Sequence, residues 1–224
     1  MLRIYKLLTS VVCFFAPIIL KIRIYRKKED ENRYTEKLCI IKKKRNKGKL
    51  VWFHAASVGE LMSIIPILEK FKKIKEIKTI LITTNTVSSS RIFKKKIKSK
   101  KIIHQFFPFD KNIFTKKFLN YWLPDLVIFV ESEIWPNFIF NIKSKKIPLI
   151  LLNARITTKT YLRWKQFPSF AKSIFSSFDM CLSQNKETEK YLKSFGVKKI
   201  KNLGNLKFSK SKLISSNKLN NNIF

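Results

Sequence analysis

From residue 50 onward the chain alternates between two hydrophobic patterns. Short runs rich in β-branched and aromatic residues fall at 50–57, 77–84, 101–109, 125–131, 148–153, 179–184 and 200–206. Segments with helical spacing lie between them, at 60–73, 88–98, 112–122, 134–145, 170–178 and 185–195. Strand and helix in alternation at this spacing predict βαβ units, and so a parallel sheet covered by helices on both faces. In such a sheet ligands sit outside the carboxyl ends of the strands. Those ends are therefore where polar residues carry information.

Two stretches precede this pattern. Residues 7–20, LLTSVVCFFAPIIL, are apolar and bounded by Lys6 and Lys21. As one helix, 14 residues reach only about 21 Å, short of a hydrocarbon core of about 30 Å. With flanking apolar residues included and the lysines snorkelling, the run just crosses or lies in the interface. No small-residue cleavage site follows, and the basic flank KIRIYRKK holds the remainder on the cytoplasmic side. A buried helix of a soluble domain is the competing reading. Residues 27–49 are polar and highly charged, the pattern of a linker with one short helix around 33–40.

Composition changes the picture in three ways. A net charge of +34, from 48 Lys and Arg against 14 Asp and Glu, favours polyanionic partners such as nucleic acid, anionic lipid or a phosphorylated substrate. An A/T-rich coding sequence inflates Lys, Ile, Asn and Phe in the same way, and the charge is spread over every segment. The 3 cysteines, Cys13, Cys39 and Cys181, are distant and form no C-x-x-C, which argues against a disulfide framework or a zinc site. With 2 histidines, neither a His-based metal cluster nor a Ser-His-Asp arrangement is well supplied. Gly-rich dinucleotide and P-loop signatures are absent, so no nucleotide cofactor cradled in that way is expected.

The strand ends carry the candidate chemistry. VWFHAASVGE, at 51–60, breaks at Ser57 and Gly59 and places Glu60 where the next helix opens. Ser57-x-x-Glu60 is a capping box, and Glu60 also faces the place where a ligand would sit. Glu131 and Glu133 follow the strand DLVIFV; by strand alternation both carboxylates point into one cleft, or else they are helix-start acids favoured by the dipole. Asn153 and Arg155 end LILLNAR, and a guanidinium there suits a carboxylate or phosphate, or pairs with Glu131 or Glu133. Gln184 and Lys207, in LSQN and GNLKF, end the last two runs.

In this order and at these spacings, HAASVGE, TTNTVSSSR, FFPFD, ESEIWPN, PLILLNAR, LSQN and GNLKF resemble the 3-deoxy-D-manno-octulosonic acid (Kdo) transferases. Those inner-membrane enzymes of Gram-negative bacteria place Kdo on the lipid A precursor. The resemblance implies the N-terminal half of a GT-B glycosyltransferase: a Rossmann-like acceptor-binding domain over 50–208, after a membrane-associated helix at 1–26 and a basic linker at 27–49. It implies inverting transfer from CMP-Kdo, with Glu60 as general base on the acceptor hydroxyl. Glu131, Glu133 and Lys207 would stabilise charge. Ser57, Gly59, Asn153, Arg155 and Gln184 would bind substrate. No metal and no cofactor are needed.

Ser209 stands where the family usually has an acidic residue, and 209–224 form a polar tail. The family's second domain, which binds the CMP-sugar, has no counterpart in these 224 residues. The reading is thus a transferase truncated before its donor domain. An inactive or partner-dependent acceptor-binding module is the alternative, and a basic nucleic-acid-binding protein a remote one.

Overall fold

The computed structural model describes residues 1–206. Lys207 and the tail at 209–224 lie outside them. Seven strands form one parallel sheet: β1 (Lys49–His54), β2 (Ile77–Thr84), β3 (Ile102–Phe106), β4 (Leu126–Val130), β5 (Leu149–Ala154), β6 (Met180–Ser183) and β7 (Ile200–Asn202). They lie in the order β3-β2-β1-β4-β5-β6-β7. All seven runs expected from the sequence are strands. The order grows one way from β1 through β2 to β3, then restarts on the other side of β1 with β4. The switch point of this Rossmann-like sheet therefore lies between β1 and β4, which pair directly from Val51 with Leu126 to His54 with Phe129.

Alternation along β1 explains the two cores. Leu50 and Trp52 pack on one face among Phe118, Phe129 and Phe138, while Val51 and Phe53 pack on the other with Leu61, Ile64 and Ile80. The covering helices include α3 (Val58–Lys73), α4 (Val87–Lys96), α5 (Asn112–Trp122), α6 (Pro136–Ser144), α8 (Pro168–Phe175) and α9 (Lys186–Ser194). One helix was not expected: α7 (Thr158–Lys165) buries no residue, so no hydrophobic period marks it. A threonine cap starts it instead, with Thr157 Oγ1 accepting the Thr160 N–H.

The apolar N-terminal run is two helices rather than one. α1 (Leu2–Phe14) and α2 (Ala16–Tyr25) meet at a 48° bend, with Pro17 in the first turn of α2. No single helix among the described residues is long and apolar enough to cross a membrane, although the bent pair together has the required length and composition. Leu20 is fully buried, yet Leu7, Leu8, Val11, Val12, Phe14 and Ile18 are exposed.

Residues 27–49, polar in sequence as a linker is, fold onto the open edge of β3. Arg33 forms a two-pronged ion pair with Glu36 inside a 3₁₀ turn, Tyr34–Leu38. Glu36 Oε2 accepts the Phe106 N–H at 2.7 Å, and Arg33 donates to the His104 carbonyl at 3.2 Å. The charges of this stretch thus complete the backbone hydrogen bonds that an edge strand leaves open.

Candidate active site

β1 ends at His54, and Ser57 caps α3 with its Oγ accepting the Glu60 N–H at 3.3 Å. Glu60 answers in both directions. Its Oε1 accepts from the Ser57 hydroxyl at 2.8 Å and its Oε2 from the Ala56 N–H at 2.8 Å. The capping box is therefore present, shifted by one residue because the carboxylate reaches Ala56 N–H rather than that of Ser57. Gly59 sits in the first turn behind it.

Across the switch point, β4 stops at Val130, and Glu131 turns left-handed with φ 60°. Strand alternation therefore does not place the two carboxylates; this left-handed turn redirects the chain before Ser132 and Glu133. Glu133 Oε2 accepts from His54 Nε2 at 3.0 Å and from the Trp135 indole N–H at 2.7 Å. His54 is fully buried, stacked on Phe107 with ring centres 3.7 Å apart, and its Nδ1 lies 3.0 Å from the Thr83 hydroxyl. A carboxylate only accepts, so His54 bears a hydrogen on Nε2, while Nδ1 lies within reach of both the Thr83 hydroxyl and the Thr83 carbonyl.

The electrostatics separate the carboxylates. Burial raises the Glu60 pKa, and the charges of Glu133 and Glu131 add to it against the hydrogen bonds from Ser57 and Ala56. Glu133 is also buried, which on its own would raise it, but His54 and Trp135 outweigh burial and hold it below the ordinary range. One acid is thus kept ionised beside another that takes up a proton more readily. Such a divergence marks an acid/base role.

The remaining expected residues divide. Asn153, also left-handed at φ 55°, donates to Glu131 Oε1 at 3.4 Å and accepts from the Leu206 N–H at 3.1 Å. Gln184 Nε2 donates to the Asn153 carbonyl at 2.9 Å, so both residues tie strand ends together. Arg155 is exposed and makes no side-chain ion pair among the described residues; it lines a cavity of about 160 Å³ beside Glu131 and Trp164. Lys207 lies outside the described residues. Among those described, no three His, Cys, Asp or Glu side chains converge as a metal site requires.

Sequence reasoning passed over His54, Trp135 and Asp110. Asp110 stands in for the missing cap of α6. Its Oδ2 accepts the Asn137 N–H at 3.0 Å and its Oδ1 the Phe138 N–H at 2.9 Å. Burial pushes its pKa up to about 7, against those hydrogen bonds and one from Tyr5. The signal available was position: each lies within a motif at a strand end.

The sequence profile described as 3-deoxy-D-manno-octulosonic-acid transferase (kdotransferase) matches residues 32–210. The chain belongs to the Kdo transferase family. The 3-deoxy-D-manno-octulosonic acid transferase of Rickettsia bellii is 37% identical over 213 residues, covering 95% of this chain and 50% of that protein. The enzyme of the same description from Rickettsia prowazekii is 40% identical over 74% of this chain and 35% of its own length. That of Chlamydia pneumoniae is 29% identical over 92% and 48%. The chain spans about half the length, or less, of these Kdo transferases.

Among solved structures, a UDP-N-acetylglucosamine 2-epimerase matches with a TM-score of 0.52 at 15% identity, over 71% of this chain and 49% of that one. The Neisseria meningitidis epimerase bound to UDP-GlcNAc matches with 0.51 at 15%, over 79% and 53%. At that identity the likeness shows the fold alone, a Rossmann-like half of a GT-B architecture. Kdo transferases are glycosyltransferases, and the carboxylates of HAASVGE and ESEIWPN meet at the switch point of that half.

Proposed function

We propose that this chain forms the acceptor half of a Kdo transferase of lipopolysaccharide biosynthesis, with Glu60 as the general base. The acceptor is the lipid A precursor, lipid IVA, and the donor is CMP-Kdo, held by a second domain of the enzyme. Glu60 takes the proton of the attacking sugar hydroxyl as CMP departs, and attack from the opposite face inverts the anomeric centre. A positioned carboxylate typically contributes about 10²–10⁴-fold.

The observation that carries this reading is the state of Glu60. It is fixed by two hydrogen bonds and poised upward in pKa by burial and by two ionised neighbours. Glu133, held ionised by His54 and Trp135, supplies negative charge to the same crevice, and Glu131 adds to it. Lys207, one residue beyond the described stretch, and Arg155 supply positive charge for the departing CMP. Asn153 and Gln184 keep the strand ends in register beneath the acceptor. The bent apolar pair α1 and α2 rests in the cytoplasmic face of the inner membrane, where a lipid acceptor is presented.

The test is transfer of Kdo from CMP-Kdo to lipid IVA by membranes holding the enzyme with its donor domain, comparing wild type with Glu60→Ala. Activity unchanged by the substitution would remove Glu60 from the mechanism. Binding of lipid IVA without turnover, restored by an added donor domain, would instead support the partner-dependent acceptor module.

A further inference from the structure

Beside the carboxylates, and on the side facing the N-terminal helices, lies a cavity of about 370 Å³ that the chemistry above does not use. This is within the range of small-molecule sites, about 300–1,000 Å³. One wall is polar: Arg23 of α2, Glu29, Lys37 and Thr86. The other is apolar, with Ile19 and Trp135. Trp135 also lines a second, largely apolar cavity of about 270 Å³ against Leu8 and Val12 of α1.

The polar wall has unspent donors and excess positive charge. Glu29 Oε1 accepts from both Arg23 Nε at 2.8 Å and Lys37 Nζ at 2.7 Å, two cations on one carboxylate. Lys37 Nζ also donates to the Asn85 carbonyl at 3.0 Å, leaving its third hydrogen, and the Nη groups of Arg23 have no partner among the described residues. Glu29, with its side chain 1% exposed, keeps a buried Oε2 that has no partner. Arg23, 45% exposed, is the movable member of the cluster. Thr86 caps α4, a helix of 10 residues, and uses its Oγ1 on the Ser89 N–H.

We propose that this cavity holds a phosphomonoester borne on an acylated sugar. Arg23 and Lys37 supply the cations, and the Nη groups of Arg23 with the third hydrogen of Lys37 Nζ supply the donors. The proposal rests on the acceptor reading above and gives the acceptor its orientation. Phosphate meets the basic wall, and the acyl chain follows Trp135 toward the cavity under α1. A dianionic phosphate matches two cations with unspent donors, and burial lowers the Lys37 pKa, so an added anion favours the charged ammonium.

The test titrates the full chain in neutral micelles with a diacylated glucosamine 4-phosphate, with the same lipid lacking its phosphate, and with inorganic phosphate alone. Wild type is expected to bind the phosphorylated lipid about tenfold or more tightly than its dephosphorylated form, the scale of one charge-assisted hydrogen bond. Arg23→Gln should bring the two within about twofold, since that contact is then lost. Arg23→Lys, which keeps Glu29 paired, should give an intermediate ratio, and Arg26→Gln at the exposed end of the same helix should leave the ratio intact. Equal binding of the two lipids by wild type overturns the phosphate site and leaves the acceptor reading standing. Equal loss in Arg23→Gln and Arg26→Gln assigns the effect to diffuse surface charge and overturns it too. Inorganic phosphate binding as tightly as the glycolipid overturns the lipid assignment. Binding of neither lipid overturns both readings.

Discussion

Ser57 and Glu60 form one hydrogen-bonded unit, but the two roles assigned to it separate under substitution. Ser57→Ala removes the cap of α3 and one of the two hydrogen bonds on the Glu60 carboxylate. Loss of such a cap costs about 0.5–2 kcal/mol. Glu60→Gln keeps an amide oxygen able to accept the Ala56 N–H but removes the charge. The folded pKa of Glu60 is raised above its unfolded value, so the folded state binds the proton more tightly than the unfolded chain does. The stability this contributes is complete below the unfolded carboxylate value, about 4.3, and is lost as pH rises through the folded value.

At pH 8 the ionised Glu60 is therefore a burden to the fold, and glutamine relieves it. Urea denaturation at pH 8 should show Ser57→Ala less stable by about 1 kcal/mol. Glu60→Gln should be at least as stable as wild type, with that advantage vanishing near pH 4. Kdo transfer should show the reverse order, with Glu60→Gln down by about 10²–10⁴-fold and Ser57→Ala only modestly affected. A Glu60→Gln protein destabilised at pH 8 while retaining transfer would make Glu60 a cap and nothing more.

Three further outcomes follow from the structure. Glu133→Gln removes the neighbouring charge that raises Glu60, so the acid limb of the rate profile should move to lower pH; an unmoved limb would mean that Glu60 is not the titrating base. Arg33→Ala strands Glu36 against the edge of β3 with its side chain 6% exposed, and should cost about 3 kcal/mol in denaturant titration. A loss below about 1 kcal/mol would show that residues 27–49 do not secure the sheet edge. Leu7 and Val11 are 66% and 53% exposed on α1, so Leu7→Glu with Val11→Glu should weaken co-sedimentation with anionic vesicles by about tenfold or more, given about 1.5–3 kcal/mol per buried aliphatic side chain. Unchanged sedimentation would take the membrane away from α1.

The sheet was legible because its signal is periodic: buried strands and amphipathic helices leave a mark that no other arrangement produces. Glu60 was legible because a capping box has a fixed spacing and strand ends have a fixed direction. What escaped was set by partners distant in sequence. Arg33 and Glu36 look like solvated charges until Phe106, 70 residues away from Glu36, offers its N–H. Glu133 and His54 meet 79 residues apart, and no local pattern announces that contact. The turn at Glu131 escaped for a different reason, because a left-handed non-glycine residue breaks the local rule that strand alternation relies on. The bend at Phe15 was the opposite case. Pro17 stood in the run, and its missing N–H suits the first turn of a helix better than the middle of a longer one.

Left-handed backbone at a non-glycine residue costs about 1–3 kcal/mol, and it persists only where the surroundings over-determine it. Here two such residues, Glu131 and Asn153, end neighbouring strands and are joined side chain to side chain. The first turns the chain out of the sheet toward β1, where His54 and Trp135 capture Glu133 within reach of Glu60. The second places its amide between Glu131 and the Leu206 N–H, just ahead of Lys207. Four other non-glycine residues are left-handed, Lys27, Cys39, Leu123 and Lys146, but Glu131 and Asn153 are the pair that stands where the acidic side of the crevice is assembled. In a chain of net charge +34 that side is the exception. The cavity wall of Arg23 and Lys37 stands on its other flank. On the proposed reading, a phosphorylated acceptor would be drawn to one side and repelled from the other. Its hydroxyl, which carries no charge, would then be the part that approaches the carboxylates, and the crevice would orient such a substrate before any base acts.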